Sequence, residues 1–156
     1  MPAIVPAAAE DAATILGIQK RAFAEEARLC GDWGIPPLVE TVEAVAEHIR
    51  TATVLTARSG TRIVGAVRGL VADGVCTIRG LGIEPDHQGR GIGAALLAAV
   101  ERAHPGVTRF ELLTNTVMER NIRFYERHGY RTLELRKHSD RIVLARMGKA
   151  ASAGGA

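Results

Sequence analysis

Aromatic side chains are scarce in this chain, with one tryptophan, two tyrosines and three phenylalanines among 156 residues. The core must therefore rest on Ala, Val, Ile and Leu. Cysteine is scarcer still. Cys30 and Cys76 stand far apart, a usage that predicts reduced thiols and excludes a disulfide framework. Cys76 falls in an apolar strand pattern and reads as a small core residue, and Cys30 lies in a loop with no base nearby. None of the five histidines (His48, His87, His104, His128, His138) is paired at a metal-ligand spacing, so no metal is expected. No apolar run approaches a membrane span, and the N-terminus lacks the basic flank and apolar stretch of a leader, so a cytoplasmic protein without a membrane partner is expected. Charge of one sign is also missing. The net +3 is mild and the acidic residues are spread throughout, which biases the chain toward anionic ligands. Without a basic stripe interleaved with aromatics, no nucleic-acid partner is expected.

A hydrophobic content of 47% with 24% charged residues is ordinary for a globular chain, and the length suits one domain. Ala3 to Pro6 reads as a first strand. Glu10 and Asp11 open a helix whose apolar positions Ile15, Ile18, Ala22 and Phe23 carry it to about Arg28. Leu29 to Pro37 holds two glycines, two consecutive prolines and the tryptophan, and is expected to be irregular. Thr41 is placed to cap a helix through Val42, Val45, Ala46 and Ile49. Three strands follow, Thr53 to Ala57, Arg62 to Val71 and Val75 to Ile83, divided by turns at Ser59-Gly60 and Asp73-Gly74. A helix then carries Ile92, Leu96, Ala99, Val100 and Ala103 on one stripe and stops at Pro105-Gly106. Arg109 to Thr114 is expected as a strand, Glu119 to His128 as a helix closed by Gly129, and Tyr130 to Leu135 and Arg141 to Ala145 as the last strands. From Lys149 onward the Ala/Gly/Ser-rich end is expected to fray. The central strands are joined by turns too short for crossovers, so they form an antiparallel meander. The helix between Ile83 and Arg109 permits a parallel, right-handed crossover. The fold class is α/β (α+β mixed), a twisted mixed sheet with helices on both faces.

The run from Leu81 to Leu97 concentrates the chemistry. It reads as a strand ended by Pro85, then a glycine-dense turn, then an amphipathic helix. Such a helix start offers unpaired N–H groups and the positive end of the dipole to an anion. Gly89, Gly91 and Gly93, at alternate positions, remove the Cβ atoms that would hold a phosphate away from the backbone. A P-loop would need Lys-Ser or Lys-Thr after the glycines, and none follows. A dinucleotide fingerprint would need Gly-x-Gly-x-x-Gly on the first strand of a parallel sheet, whereas this run is Gly-x-Gly-x-Gly after three antiparallel strands.

Gln88-x-x-Gly91-x-Gly93 after Leu81-x-Ile83-x-Pro85 closely resembles the acyl-CoA-binding motif of the GNAT superfamily of N-acetyltransferases. Downstream, Asn121-Ile122-Arg123-Phe124-Tyr125-Glu126-Arg127-His128-Gly129-Tyr130 resembles that family's helix-turn-strand motif. The two occur in family order and at family spacing, and the element order matches from about Ile4 to Met147. The resemblance implies a GNAT-like fold at residues 1–148, with about seven strands splayed after the fourth, about four helices and a disordered tail at 149–156. It implies acetyl-CoA as co-substrate. Its pyrophosphate would lie on the backbone N–H groups of Gln88, Gly89, Arg90, Gly91, Ile92, Gly93 and Ala94, and its pantetheine arm along Leu81, Gly82 and Ile83 as an added strand. Gly82 also suits a bulge that parts two strands.

Acetyl transfer to an amine needs an unprotonated nucleophile, a polarised thioester carbonyl and a proton for the departing thiolate. The family's thiolate-facing tyrosine matches Tyr125, and Asn121, four residues earlier on the same helical face, is placed to bond the pantetheine arm. Many members carry an asparagine one turn earlier, where this chain has Met118. Glu25, Glu26, Glu111 or a water chain are the candidates for the base. Trp33, Pro36 and Pro37 are expected to wall the acceptor pocket. The expected reaction is direct attack by an amine, from a small molecule or a protein, on the thioester; the resemblance also admits a homodimer. The alternative is a non-catalytic acyl-CoA-binding or sensory module on the same fold.

Overall fold

The structure is a computed structural model and describes residues 1–152. Seven strands, β1 (Ala3–Pro6), β2 (Thr53–Ser59), β3 (Arg62–Ala72), β4 (Val75–Ile83), β5 (Arg109–Asn115), β6 (Arg131–Lys137) and β7 (Val143–Ala150), form one mixed sheet in the order β1-β2-β3-β4-β5-β7-β6. Five helices accompany it, α1 (Ala12–Cys30), α2 (Pro36–Val39), α3 (Val42–Thr51), α4 (Ile92–Arg102) and α5 (Glu119–Arg127). Two apolar layers enclose the sheet. On one side Ile15 and Leu16 of α1 and Val45 of α3 cover Val54 and Ala66. On the other, Leu96, Leu97 and Val100 of α4 pack on Val64, Val67 and Ile78, and Tyr125 and Phe124 of α5 join this layer.

The meander β2 to β4 is antiparallel, as its short turns require, and β1 pairs antiparallel with β2 across the long connection that carries α1, α2 and α3. The pairing of β4 with β5 is parallel but brief, confined to Val75 to Thr77 against Arg109 to Glu111. Beyond Thr77 the two strands part, and the second half of β4 has a neighbour only on its β3 edge. The splay coincides with a bulge. Arg68 opposes Arg79 and Ala66 opposes Gly82, so Val67 alone faces the two residues Gly80 and Leu81. Gly80 supplies the left-handed conformation (φ +64°) that this bulge needs. The bulge therefore sits at Gly80 rather than at Gly82. Gly82 instead admits α1, for a Cβ there would stand 3.3 Å from that of Ala22.

Local differences from expectation have physical causes. Pro36 and Pro37 do not lie in irregular chain but occupy the first turn of α2, where a missing N–H costs nothing. The last strand starts later and ends later than Arg141 to Ala145, so that Lys149 and Ala150 belong to β7 and the Ala151 N–H donates to the Thr108 carbonyl (3.0 Å). Gly, Lys and Ala are poor strand formers, but Gly148 is paired to both β5 and β6, and Lys149 and Ala150 are paired to Phe110 and Arg109 of β5. The expected disorder of 153–156 falls outside the described residues. Thr41 caps α3 as anticipated, its Oγ1 accepting from the Ala44 N–H (3.1 Å).

Candidate active site

Between β4 and α4 the chain makes a short 3-10 turn at Pro85–His87 and then two left-handed glycines, Gly89 (φ +77°) and Gly91 (φ +81°). These torsions are open to glycine and strained for other residues. From Gly89 to Ala94 no backbone N–H has a backbone acceptor among the described residues, and the first closing bond of α4 runs from Ala95 N to Gly91 O (3.1 Å). Six successive donors at a helix start make an anion nest. A Cβ built on Gly89 would meet nothing, and on Gly93 only Phe124 at 3.6 Å, so protein packing does not demand glycine at Gly93. Gln88 also lines the cleft at this turn. Its N–H is turned back to the Pro85 carbonyl (3.5 Å) and its Nε2 donates to the Ile83 carbonyl (3.1 Å), tying the turn to the end of the strand. The side chain of Arg90 likewise folds back onto the Asp86 carbonyl (3.0 Å).

This nest forms one end of a cleft of about 600 Å³ that runs along Leu81, Gly82 and Ile83 to Asn121 and Tyr125. Arg21 of α1, bonded through Nε (2.8 Å) and Nη2 (2.9 Å) to the Glu84 carboxylate, holds α1 against the end of β4 beside the cleft. A second cavity of about 300 Å³ occupies the wedge where β4 leaves β5. Phe23, Glu26, Leu81, Asn121 and Tyr125 border both cavities, so the two meet at these five side chains.

At that junction Tyr125 is half-buried, its ring edge-on to Phe124 (centroids 5.2 Å) and Tyr130 (5.9 Å). Burial, reinforced by the Glu26 carboxylate, pushes its phenol well above the ordinary tyrosine value, so it remains a proton donor. Burial likewise raises the Glu26 carboxyl, and the neighbouring Asn115 amide partly offsets the rise. Asn115 is 2% exposed; its Oδ1 accepts from the Val117 N–H (3.2 Å), and its Nδ2 has no partner.

The other carboxylates take different places. Glu25 borders the larger cleft, but it is exposed and bidentate to Arg28 (2.6 and 2.8 Å), which lowers its pKa. Glu111 borders neither cavity; Arg109 and Arg146 (3.0 Å to the latter) hold it low. Trp33 is 60% exposed and also lies outside both cavities, whereas Pro36 and Pro37 do wall the smaller one. Cys76 is fully buried and pushed up to about 11, chiefly by burial, which leaves it a poor nucleophile.

Sequence patterns did not expose a buried polar cluster at the far end of the smaller cavity. Arg68 of β3 is 2% exposed and bidentate to Glu40 (Nη1 to Oε2 2.9 Å, Nη2 to Oε1 2.7 Å). Its Nη2 also donates to Gln19 Oε1, and its Nη1 lies 2.9 Å from His48 Nδ1. Gln19 Nε2 in turn bonds Glu40 Oε1 (2.9 Å) and the Pro37 carbonyl (3.0 Å). The guanidinium beside it brings the Glu40 carboxyl down to about 2. Each member lies on a different element, so no local spacing could have revealed the cluster.

The family model for the acetyltransferase (GNAT) domain matches residues 50–132, which include the meander, the glycine turn and α5. The chain belongs to the GNAT acetyltransferase family. Solved structures share its fold along nearly its whole length. The ribosomal-protein-S18-alanine N-acetyltransferase from Escherichia coli superposes with a TM-score of 0.81 at 18% identity, covering 99% of this chain and 97% of that one. The yncA protein of Salmonella typhimurium, solved with its cofactor acetyl-CoA, gives 0.78 at 16% identity over 100% of this chain and 97% of that one. The PaiA N-acetyltransferase of Thermoplasma acidophilum, in complex with coenzyme A, gives 0.71 at 15% identity over 96% and 99%. No helix of the described residues is long and apolar enough to cross a membrane.

Proposed function

We propose that the protein transfers the acetyl group of acetyl-CoA to a primary amine by direct attack, with the cofactor in the larger cleft and the acceptor in the smaller cavity. One observation carries this reading: the anion nest and the splayed strand lead to the same five residues that close the second cavity. The donors of Gly89 to Ala94 suit a pyrophosphate. The free edge of β4 at Leu81, Gly82 and Ile83 suits the amide-bearing pantetheine arm, laid down as a further strand. Asn121 would bond that arm near its thiol end.

In the reaction the amine lone pair attacks the thioester carbonyl carbon, whose developing oxyanion takes a backbone N–H of the splayed strand. The C–S bond then breaks with its electron pair on sulfur. An acceptor arriving as R–NH₃⁺ loses two protons on becoming the amide. Tyr125 delivers one to the thiolate and is reprotonated, and Glu26 passes the other to solvent. Glu26 suits the role because it is the carboxylate at the junction without an ion-pair partner. A buried phenol and a carboxyl raised toward neutrality divide acid and base work between them.

The test is CoA-thiol release from acetyl-CoA against a panel of amines, with Tyr125→Phe run in parallel. Release that depends on the acceptor and falls in the variant supports the enzyme. Binding of acetyl-CoA without acceptor-dependent release would make the protein an acyl-CoA-binding module instead.

A further inference from the structure

The smaller cavity is polarised. Its wall holds two acidic residues, Glu26 and Glu40, two arginines, Arg68 and Arg79, and one histidine, His138. Glu40 and Arg68 neutralise each other in a bidentate pair. Glu26 remains at the junction with the cofactor cleft. Arg79 remains, in no ion pair among the described residues, directly across the β3–β4 ladder from Arg68 and close enough to act on Glu40 and His48. His48 adds no positive charge there near neutrality, because burial and the two arginines depress it. Beside Arg79 the Nε of buried Arg68 is a donor without an acceptor, an arrangement that proteins rarely tolerate without a ligand or water. The rest of the lining is mostly apolar, with Ile35, Pro36, Ile78, Leu112, Ile142 and Leu144, and its polar members Thr77, Thr114 and Asn115 carry no charge.

We infer that the acceptor is a small amino carboxylic acid with an apolar body, its ammonium toward Glu26 and its carboxylate toward Arg79. This deepens the acetyltransferase reading and rests on it. The cavity, about 300 Å³, lies at the small end of ligand sites. A diamine or polyamine would bring its second ammonium against Arg79, where like charge disfavours it. A simple alkylamine would lie against the apolar lining but leave the arginine donors without an anion. The carboxylate answers both: it is bidentate-competent toward a guanidinium and can also accept from a neighbouring N–H. Arg79 is a specificity residue in this scheme; it touches substrate far from the bond that changes.

The experiment compares matched pairs. 4-Aminobutanoate, 5-aminopentanoate and 6-aminohexanoate, whose methylene chains hold the two charges apart, are assayed beside the amines obtained by removing their carboxyl groups, and beside 1,5-diaminopentane. Thiol release is the kinetic readout, and calorimetric titration into the CoA-saturated protein is the binding readout. At least one amino acid is expected to exceed its decarboxylated twin by about tenfold or more in kcat/KM or affinity. Arg79→Gln, at an exposed position, is expected to erase that preference while leaving acetyl-CoA affinity unchanged. Equal or better use of the decarboxylated amines or the diamine overturns the inference, as does a preference that survives Arg79→Gln. So does failure of all three amino acids to bind CoA-saturated protein. Failure of acetyl-CoA itself to bind overturns the acetyltransferase reading instead.

Discussion

Glu26 and Tyr125 both border the point where two cavities meet, and the Glu26 carboxylate makes the phenolate form of Tyr125 less favourable. Removing the phenol hydroxyl in Tyr125→Phe should lower kcat about 10²-fold, as for other lost acid catalysts, with little change in the KM for acetyl-CoA because the ring remains. A base must be deprotonated to act. The acidic limb of the kcat/KM profile should therefore lie above the ordinary carboxylate range, with rate lost as pH falls through the raised Glu26 value. Glu26→Gln should flatten that limb as well as slow the reaction; a profile unchanged in shape would remove Glu26 from proton transfer. Tyr125 could be read from sequence because it sits in a motif of fixed spacing. Glu26 could not be separated from Glu25, since one residue along a helix turns a side chain by about 100°. Here that turn sends Glu25 to solvent and Arg28 and sends Glu26 to the site. Trp33 was misjudged for a related reason: a loop's composition does not say which way its side chains point.

At the scale of elements, the site depends on β4 leaving β5 after one short stretch of pairing, and on the left-handed residue at Gly80 that bends the strand there. Gly80→Ala should destabilise the protein by more than about 1 kcal/mol, because the added Cβ meets both a strained torsion and Arg68 Nε at 2.9 Å. A shift in the urea midpoint at unchanged slope would record it. The meander and the glycine turn were legible because their turn residues are local. The position of the bulge was not: Gly80 and Gly82 are equivalent by alternation, and only the register against β3 distinguishes them. Likewise the strand status of Lys149 and Ala150 depends on pairing with Phe110 and Arg109 of distant β5, not on their own propensities.

Across the whole molecule, the Arg68–Glu40 pair joins β3 to the segment after α2, and Gln19 and His48 draw in α1 and α3. Breaking such a pair leaves a buried charge without its partner. Glu40→Gln should therefore cost up to about 3–5 kcal/mol near neutrality. With its folded value near 2, Glu40 contributes stability that is complete above its ordinary value and lost as pH falls from about 4.5 toward 2. Denaturant melts of the two proteins should accordingly converge across that window; a gap that persists at low pH would show that charge is not what the pair provides. The element order, both motifs and the glycine turn with its free N–H donors could be traced in the sequence. The smaller cavity could not, because its walls come from α1, α2, β3, β4, β5, α5, β7 and the β6–β7 turn, which only the complete fold brings together.

The most direct test of acetyl-CoA binding at the glycine turn is calorimetric titration of acetyl-CoA into the wild-type protein and into Gly91→Glu, with circular dichroism to confirm that both are folded. The expected result is saturable one-site binding to the wild type and none to the folded variant, whose carboxylate occupies the nest. Absence of binding to the wild type, or equal affinity in both proteins, would contradict it.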